Sequence, residues 1–338
     1  VGRGDVEVAL TKWFTDRGGL MEGIEVHRFH GMGRGLLATE AMPPEARVVQ
    51  LPLDLCMTRA SAIASAGRNT KLAKLYRGLD SEEDAIALFL LRERSLGAES
   101  DWKPYLDALP EFIPQGAYLT ARQLDLLGDP ISARNFKERG SSIEARHKSL
   151  RRELAALAGM AAGKETTPAA GGHLAGFELD DYRWALAVVS SRALTFRGER
   201  FLAPICDLFN YAPHPERRKH AGGDFYLKHH ALDKQAGTLT VLADRPTAEG
   251  GQVFEDYGDN PSGLYLDHHG FVPRENPFDC VKVKLRPPTD GPLHGSALAS
   301  AAQLLSRLGV PPHGLETCLP APGKPSGGGR GGQGGEEE

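Results

Sequence analysis

The sequence predicts an α+β fold in which short β segments flank one long helical insertion. Strand-like apolar runs cluster before residue 60 and return after residue 200. Between them, from Ser61 to about Leu194, apolar residues recur at helical spacing. With 338 residues, 41% hydrophobic and 25% charged, the composition is that of a globular chain. Each β part alone is short for independent stability, so one interrupted β domain is a better reading than two domains.

Taken in order, Val6, Leu10, Trp13 and Phe14 lie on one face of a helix over Val6–Arg17, and Gly18-Gly19 ends it. Strand-like pieces follow at 24–29, 35–39, 47–51 and 54–57, separated by "HGMGRG", "EAMPPEA" and "LP". "SEEDAIALFLLRERSLG" opens with a Ser81/Asp84 variant of the capping box and closes at Gly97. "SSIEARHKSLRRELAALAGM" is a second long amphipathic helix, and the loop "GKETTPAAGGHLAG" follows. A third helix, "DDYRWALAVVSSRAL", is led by acidic residues that suit its N-terminus. Strands return at 201–205, 224–230, 238–243 and 252–255, then a short helix at 261–269, a strand at 279–285 and a helix at 296–308. From Pro320 the tail "GKPSGGGRGGQGGEEE" lacks the means to bury a core.

A formal charge of -4 argues against a protein that coats nucleic acid, and the basic clusters at 146–152 and 216–220 read as solvated surface. The four cysteines, Cys56, Cys206, Cys280 and Cys318, form no C-x-x-C pair; this argues against structural zinc and for a reducing compartment. Cys56, Cys206 and Cys280 sit in apolar runs and read as buried thiols. No apolar stretch has the length of a membrane span and no signal peptide is visible, although the chain begins at Val1 without methionine.

Four stretches carry polar or flexible residues where packing alone does not ask for them. "HGMGRGLLATE" puts three glycines around Met32 and Arg34 before a strand. Glycine allows a backbone to approach a ligand, but the missing Lys-Ser/Thr and the following strand do not suit a phosphate loop; an ordinary tight turn is the alternative. "VSSRAL" places Arg192 in an apolar helix, either as a salt-bridge partner or as a fork for a ligand carboxylate. "ICDLFNYAPH" starts like the end of a buried strand and turns polar at Asp207, Asn210 and Tyr211. "VFEDYGDNPSGLYLDHHGFV" ends a strand at Tyr257-Gly258 and leaves a short helix at Gly270-Phe271. Its His268 and His269 diverge by about 100° around a helix, which is poor placement for a shared metal ion. The absence of G-x-S-x-G argues against a serine hydrolase.

In this order, "GMGRGLLA", "SSRAL", "CDLFNYAPH" and "DYGDN…HHGFV" resemble the SET-domain protein methyltransferases. "SDWKPYLDALPEFI" at 100–113 is similar to the insert motif of one branch. That branch is the Rubisco large-subunit lysine methyltransferase-like one, whose relatives include actin-histidine methyltransferase. The likeness runs over about residues 6–290. It implies a SET-domain β-fold of small sheets with a pseudoknot, interrupted by the helical insertion. The implied division is 1–60 for the N-terminal part of the SET domain, 61–187 for the insertion and 188–290 for the C-terminal part with the active site. Residues 291–319 would be a remnant or start of a substrate-binding lobe, and 320–338 a disordered tail.

The resemblance also implies S-adenosyl-L-methionine as cofactor, held by Met32, Gly33, Arg34, Arg192, Asn210, Tyr211 and Phe271. Tyr257 takes the place of the catalytic tyrosine, and Arg192, Asp207, Tyr226 and His269 fall at positions lining the target pocket. Tyr211 stands where the family usually has histidine, and His269 where Rubisco-type enzymes have tyrosine. The histidine-methylating branch has asparagine two residues after the arginine, where this chain has Leu194, an apolar wall suited to a lysine stem. The implied function is methylation of a lysine on a non-histone protein by a monomer, without metal, nucleic acid or membrane. Histidine methylation is the alternative within the enzyme class, and a weakly active cofactor-binding adaptor the alternative outside it. The implied location is intracellular, in cytoplasm or nucleus, or in a plastid if a transit peptide has been removed.

Overall fold

The computed structural model describes residues 4–161, 174, 176–214, 229–276, 278–285 and 315–320, together with Ser300, Gln303, Leu304 and Arg307. Helix α1 (Asp5–Asp16) buries Leu10, Trp13 and Phe14, and Trp13 donates its indole hydrogen to the Asp101 carbonyl at 2.7 Å. Strands β1 (Leu20–Met21), β2 (Ile24–Phe29), β3 (Gly33–Ala38) and β4 (Arg47–Pro52) follow. The predicted strand at 54–57 is instead one 3₁₀ turn, Leu53–Leu55, ending in an isolated bridge between Met57 and Leu202.

The insertion then supplies α2 (Arg59–Ser65), α3 (Lys71–Gly78), α4 (Glu82–Leu96), α5 (Lys103–Ala108), α6 (Ala121–Leu126), α7 (Pro130–Ala161) and α8 (Leu179–Arg192). Helix α4 buries seven residues in succession, Ala85 to Leu91, so it is the centre of the helical layer rather than a surface helix. Ser81 caps it by accepting the Asp84 amide, but Asp84 does not complete the predicted capping box. Its carboxylate turns inward to Arg146 of α7 at 2.7 Å and to the Tyr182 hydroxyl of α8, because a buried charge is stabilised by a cation and a donor more than by one amide.

Beyond the insertion lie β5 (Leu194–Phe196), β6 (Glu199–Phe201), β7 (Asn210–Tyr211), β8 (His230–Asp233), β9 (Thr238–Leu242), β10 (Gln252–Glu255), β11 (Cys280–Leu285) and β12 (Leu315–Pro320). Two four-stranded sheets, ordered β1-β4-β9-β8 and β2-β3-β10-β7, each draw strands from both sides of the insertion. That interleaving makes one β unit of the two segments, as the short lengths of each required. Strands β5 and β6 form a hairpin, and β11 pairs antiparallel with β12.

Several predicted boundaries move. Residues 60 and 187 fall inside α2 and α8 respectively, and the β11–β12 ladder crosses the predicted division at 290. The predicted tail start, Pro320, is the last residue of β12. The strand at 224–230 is described only from His229, and the loop at 163–176 and the helix at 296–308 lie largely outside the described residues. Cys56 and Cys206 are free and buried, whereas Cys280 is disulfide-bonded, which corrects its reading as a buried thiol. No helix among the described residues is long and apolar enough to cross a membrane.

Candidate active site

The polar stretch after β6 is not a strand end. Ile205 takes φ 70°, ψ −47°, a conformation that costs a β-branched residue about 1–3 kcal/mol. Cys206–Leu208 then form one 3₁₀ turn before β7. This reversal buries the Asp207 carboxylate completely, while the residue as a whole still reaches a cleft of about 700 Å³. The volume suits a small-molecule site.

One wall of the cleft is the hairpin turn between β2 and β3. Pairing of Phe29 with Gly33 extends β3 two residues earlier than predicted, so the glycines at 31 and 33, both at φ 74°, belong to a tight turn. The Met32 amide donates to Phe29 within that turn. At Gly35 a Cβ would sit 2.7 Å from the side-chain amides of both Asn210 and Gln252, so any larger residue would have to displace those amides. Asn210 donates to the Arg34 carbonyl at 3.1 Å, tying the two walls. The Arg34 side chain points away to Glu7 at 2.7 Å and to the Ala108 carbonyl at 3.0 Å. Burial pushes the Glu7 carboxyl up, but hydrogen bonds and the Arg34 and Arg28 cations outweigh it, so it ends below the usual range.

Arg192, at the end of α8, forms the floor. Its Nη1 donates to the Asp207 carbonyl at 2.9 Å and lies 3.7 Å from Asp207 Oδ2, while its buried Nε has no hydrogen-bond partner among the described residues. Such an orphaned donor beside an open cleft fits a ligand carboxylate. The parallel pairing of β7 with β10 aligns Tyr211 with Glu255, two residues before Tyr257, whose hydroxyl donates to the Phe209 carbonyl. After β10, a short turn at Ser262–Leu264 runs into a π-helical turn, Tyr265–His269, closed by Gly270 at φ 77°. A Cβ on Gly270 would lie 2.9 Å from the Ile113 side chain and 3.2 Å from the Pro114 nitrogen, so the insertion presses directly on the end of this turn.

The wider π-helical turn sends the two histidines apart. His268 lies against Asp267, and its carbonyl accepts from Gln115. His269 enters the cleft with its ring 4.9 Å from that of Tyr257. Its Nδ1 lies 3.2 Å from the Ser191 carbonyl, which can only accept, so Nδ1 carries the proton and Nε2 is left as an acceptor. Burial pulls the His269 pKa down to about 4, so the ring is neutral at physiological pH.

Met32, Gly33, Arg34, Arg192, Asp207, Asn210, Tyr257, His269 and Phe271 thus meet at one cleft. Tyr211 is not part of its lining; the ring packs against Tyr257 (5.5 Å), Tyr265 (4.9 Å) and Phe271 (5.7 Å). Leu194 does not form the expected target wall. It is 7% exposed, on β5 opposite Phe201, and packs into the core. Tyr226 lies outside the described residues. Sequence reasoning missed the loop Asp107–Pro114, which lines the opposite side, and the fully buried Tyr265, whose hydroxyl bonds the Gly258 carbonyl at 2.8 Å. The "LDALPEFIP" run was the available signal for the loop, since two prolines in so short a span hold it rigid.

No protein-family model matches the chain. It is 25% identical over 304 residues to SET domain-containing protein 4 of Mus musculus, an alignment covering 85% of this chain and 64% of that protein. Actin-histidine N-methyltransferase of Gallus gallus is 28% identical over 321 residues, covering 91% of this chain and 49% of the relative. The Drosophila melanogaster enzyme of the same name is 25% identical over 330 residues, covering 93% and 57%. The chain therefore spans about half to two thirds of the length of these curated relatives. Among solved structures, the SET domain of LSMT bound to lysine and AdoHcy superposes with a TM-score of 0.72 at 18% identity, covering 95% of this chain and 68% of that one. Rubisco LSMT bound to AdoMet gives 0.69 at 18% identity, covering 93% and 66%. The chain has the SET-domain fold, and the proteins it is similar to include those of the LSMT-like branch that the ordered motifs indicated.

Proposed function

We propose that this LSMT-like SET chain is an S-adenosyl-L-methionine-dependent protein methyltransferase, and that its target is a lysine of a non-histone protein. The observation that carries the reading is the convergence of the Met32–Arg34 turn, Arg192, Asn210, Tyr257 and Phe271 on one cleft from four distant parts of the chain. The residues present fit the cofactor. Arg192 has an unpartnered buried Nε for a carboxylate, the Gly35 approach keeps Asn210 at the wall, and Phe271 gives an aromatic face for an adenine. When bound, the cofactor supplies an electrophilic methyl group on a sulfonium, open to in-line displacement by a neutral nitrogen.

A lysine amine is protonated in water at neutral pH, so the site must favour its neutral form. Desolvation between Tyr257, His269 and Arg192 lowers an amine's pKa, and the nearby guanidinium acts in the same direction. His269 Nε2 can accept an N–H from that amine, and the Tyr257 hydroxyl, its own proton donated to Phe209, offers oxygen lone pairs. Both groups then orient the nitrogen, and alignment of this kind is a large part of catalysis. The kinship with actin-histidine N-methyltransferases favours histidine as the second reading.

Transfer of radiolabelled methyl from S-adenosylmethionine to a cell-extract proteome tests the function, with mass spectrometry assigning the modified residue. Labelled methyl-lysine that disappears with Tyr257→Phe supports the reading. Methyl-histidine would replace the target class, and an unlabelled proteome would leave the adaptor.

A further inference from the structure

We propose that Tyr105, a residue of the helical insertion, is a positioning residue for Arg192 and acts through the buried carboxylate of Asp207. The proposal rests on the methyltransferase reading for its effect on ligand, but not for the side-chain linkage itself.

Tyr105 lies in the middle of α5 and is 1% exposed. Its ring is fixed in an aromatic group: Trp102 stands 6.4 Å from Tyr105, 5.7 Å from Trp13 and 6.1 Å from Phe89, centroid to centroid. The hydroxyl crosses 102 positions of sequence to donate to Asp207 Oδ2 at 2.7 Å. That same oxygen lies 3.7 Å from Arg192 Nη1, whose hydrogen bond goes to the Asp207 backbone carbonyl. The second carboxylate oxygen, Oδ1, is buried without a partner among the described residues. From outside its own turn, the Asp207 carboxylate is thus held by a phenol from α5 and a guanidinium from α8.

The fold gives this arrangement a directional logic. The Asp207 side chain is fully buried although the residue lines the cleft, so its charge is spent inside the protein rather than on a ligand. What the carboxylate can do is hold Arg192. With Nη1 engaged, the guanidinium plane is fixed and its orphaned Nε keeps one direction. The same helix braces the other arginine of the cleft, since the Ala108 carbonyl accepts from Arg34. Helix α5 therefore supports both sides of the site from behind.

The ionisation state of Asp207 is the sensitive element. Burial drives its carboxyl up, and Arg192 and the Tyr105 hydrogen bond oppose that. Among the described residues, its titratable surroundings also include two thiols and, beyond one of them, Glu255. Cys206 beside it is held well up by burial, and Cys56, behind Tyr105, is pushed up to about 12, so neither carries charge at neutral pH; Glu255 faces Cys206 from β10. Removing the phenol deletes the side-chain hydroxyl that donates to the carboxylate. Asp207 then takes up a proton more readily, and a protonated carboxyl no longer orients the guanidinium.

The test is Tyr105→Phe, which keeps the ring and deletes one oxygen, read in two ways. Carbon-13 NMR of the Asp207 carboxyl, without any ligand, is expected to show its titration midpoint raised by about one pH unit or more. Calorimetry with S-adenosylhomocysteine is expected to show affinity about tenfold weaker at neutral pH and recovering as pH rises. In an Asp207→Asn background, the added Tyr105→Phe change is expected to have no further effect on affinity. An unchanged midpoint overturns the proposal, and so does an affinity loss that is equal at every pH. Should Tyr105→Phe fail to fold, Asp207→Asn alone decides, because the proposal requires it to flatten the pH dependence of affinity. If the native chain binds no S-adenosylhomocysteine, the methyltransferase reading falls, while the carboxyl titration still judges the role of Tyr105.

Discussion

The Tyr257 hydroxyl donates its hydrogen to the backbone carbonyl of Phe209, 48 positions earlier, at the last residue before β7. This bond locks the tyrosine to the strained turn that also carries Asp207, so the orientation of the phenol and the path of the backbone are set together. It also directs the oxygen lone pairs elsewhere than Phe209, which suits an orienting role better than proton abstraction.

Tyr257→Phe is accordingly expected to lower kcat by roughly 10²-fold or more while leaving S-adenosylhomocysteine affinity within a factor of about three. Single-turnover methyl transfer and calorimetry on the same preparation check this. A parallel loss of binding would mean that the hydroxyl holds the wall of the cleft rather than the reacting nitrogen.

A second prediction concerns Glu255, two residues before Tyr257 and paired with Tyr211 between β10 and β7. Burial, with Asp244 and Asp256 nearby, raises its pKa to about 8 from an ordinary 4.5, so it is protonated in the folded chain at neutral pH. The unfolded chain releases that proton above pH 4.5, hence stability contributed by this group falls as pH rises from 4.5 to about 8. His230 and His269, each pulled down to about 4 chiefly by burial, act oppositely: their contribution is complete above 6.5 and is lost as pH falls toward 4. Between pH 6.5 and 8 only the Glu255 slope remains among these three groups. Glu255→Gln should therefore flatten the decline of Tm over that interval, read by calorimetric unfolding, and an unchanged slope would remove Glu255 as its source.

Much of this was legible in the sequence because the relevant signals are local. The helical spacing of α1 and α8, the Ser81 cap and the glycine turn at 31–33 follow from a few adjacent residues. What sequence spacing could not carry was long-range choice. Asp84 abandons its own helix cap for Arg146 and Tyr182, and Leu194 turns to the core because β5 pairs with β6 rather than facing the cleft. The strand expected at 201–205 ends already at Phe201 and leaves only the Leu202 bridge, and no propensity scale anticipates the positive φ that follows at the β-branched Ile205. Nor does any motif announce that Tyr105 reaches Asp207, since the two share no periodicity.

Tyr211 is the third point of test. Its ring packs between Tyr265 and Phe271 and against Tyr257, so its effect on the cleft passes through those rings. Replacing it with the smaller imidazole should cost about 0.5–1.5 kcal/mol for each aromatic pair that the change breaks. Tyr211→His is thus expected to lower Tm while S-adenosylhomocysteine still binds. Denaturant unfolding beside calorimetry separates the two, and a gain in affinity with no loss of stability would show that the position acts on the ligand directly.

The last prediction turns on the shape of a cation rather than its charge. Arg192 uses Nη1 on the Asp207 carbonyl and keeps a buried Nε without a partner among the described residues. A lysine at this position keeps the charge but puts all its donors on one nitrogen at the end of a flexible stem, so it cannot span the backbone carbonyl and a ligand carboxylate with the fixed coplanar spacing of a guanidinium. Arg192→Lys should preserve the fold, because Asp207 still has a cation and Tyr105 nearby. Losing a charge-assisted hydrogen bond to a ligand weakens binding by roughly 10- to 100-fold. The expected outcome is a rise of that size in the KM for S-adenosylmethionine, with kcat at saturating cofactor changed far less. A drop confined to kcat would place the guanidinium against the target nitrogen instead, on the other side of the same cleft.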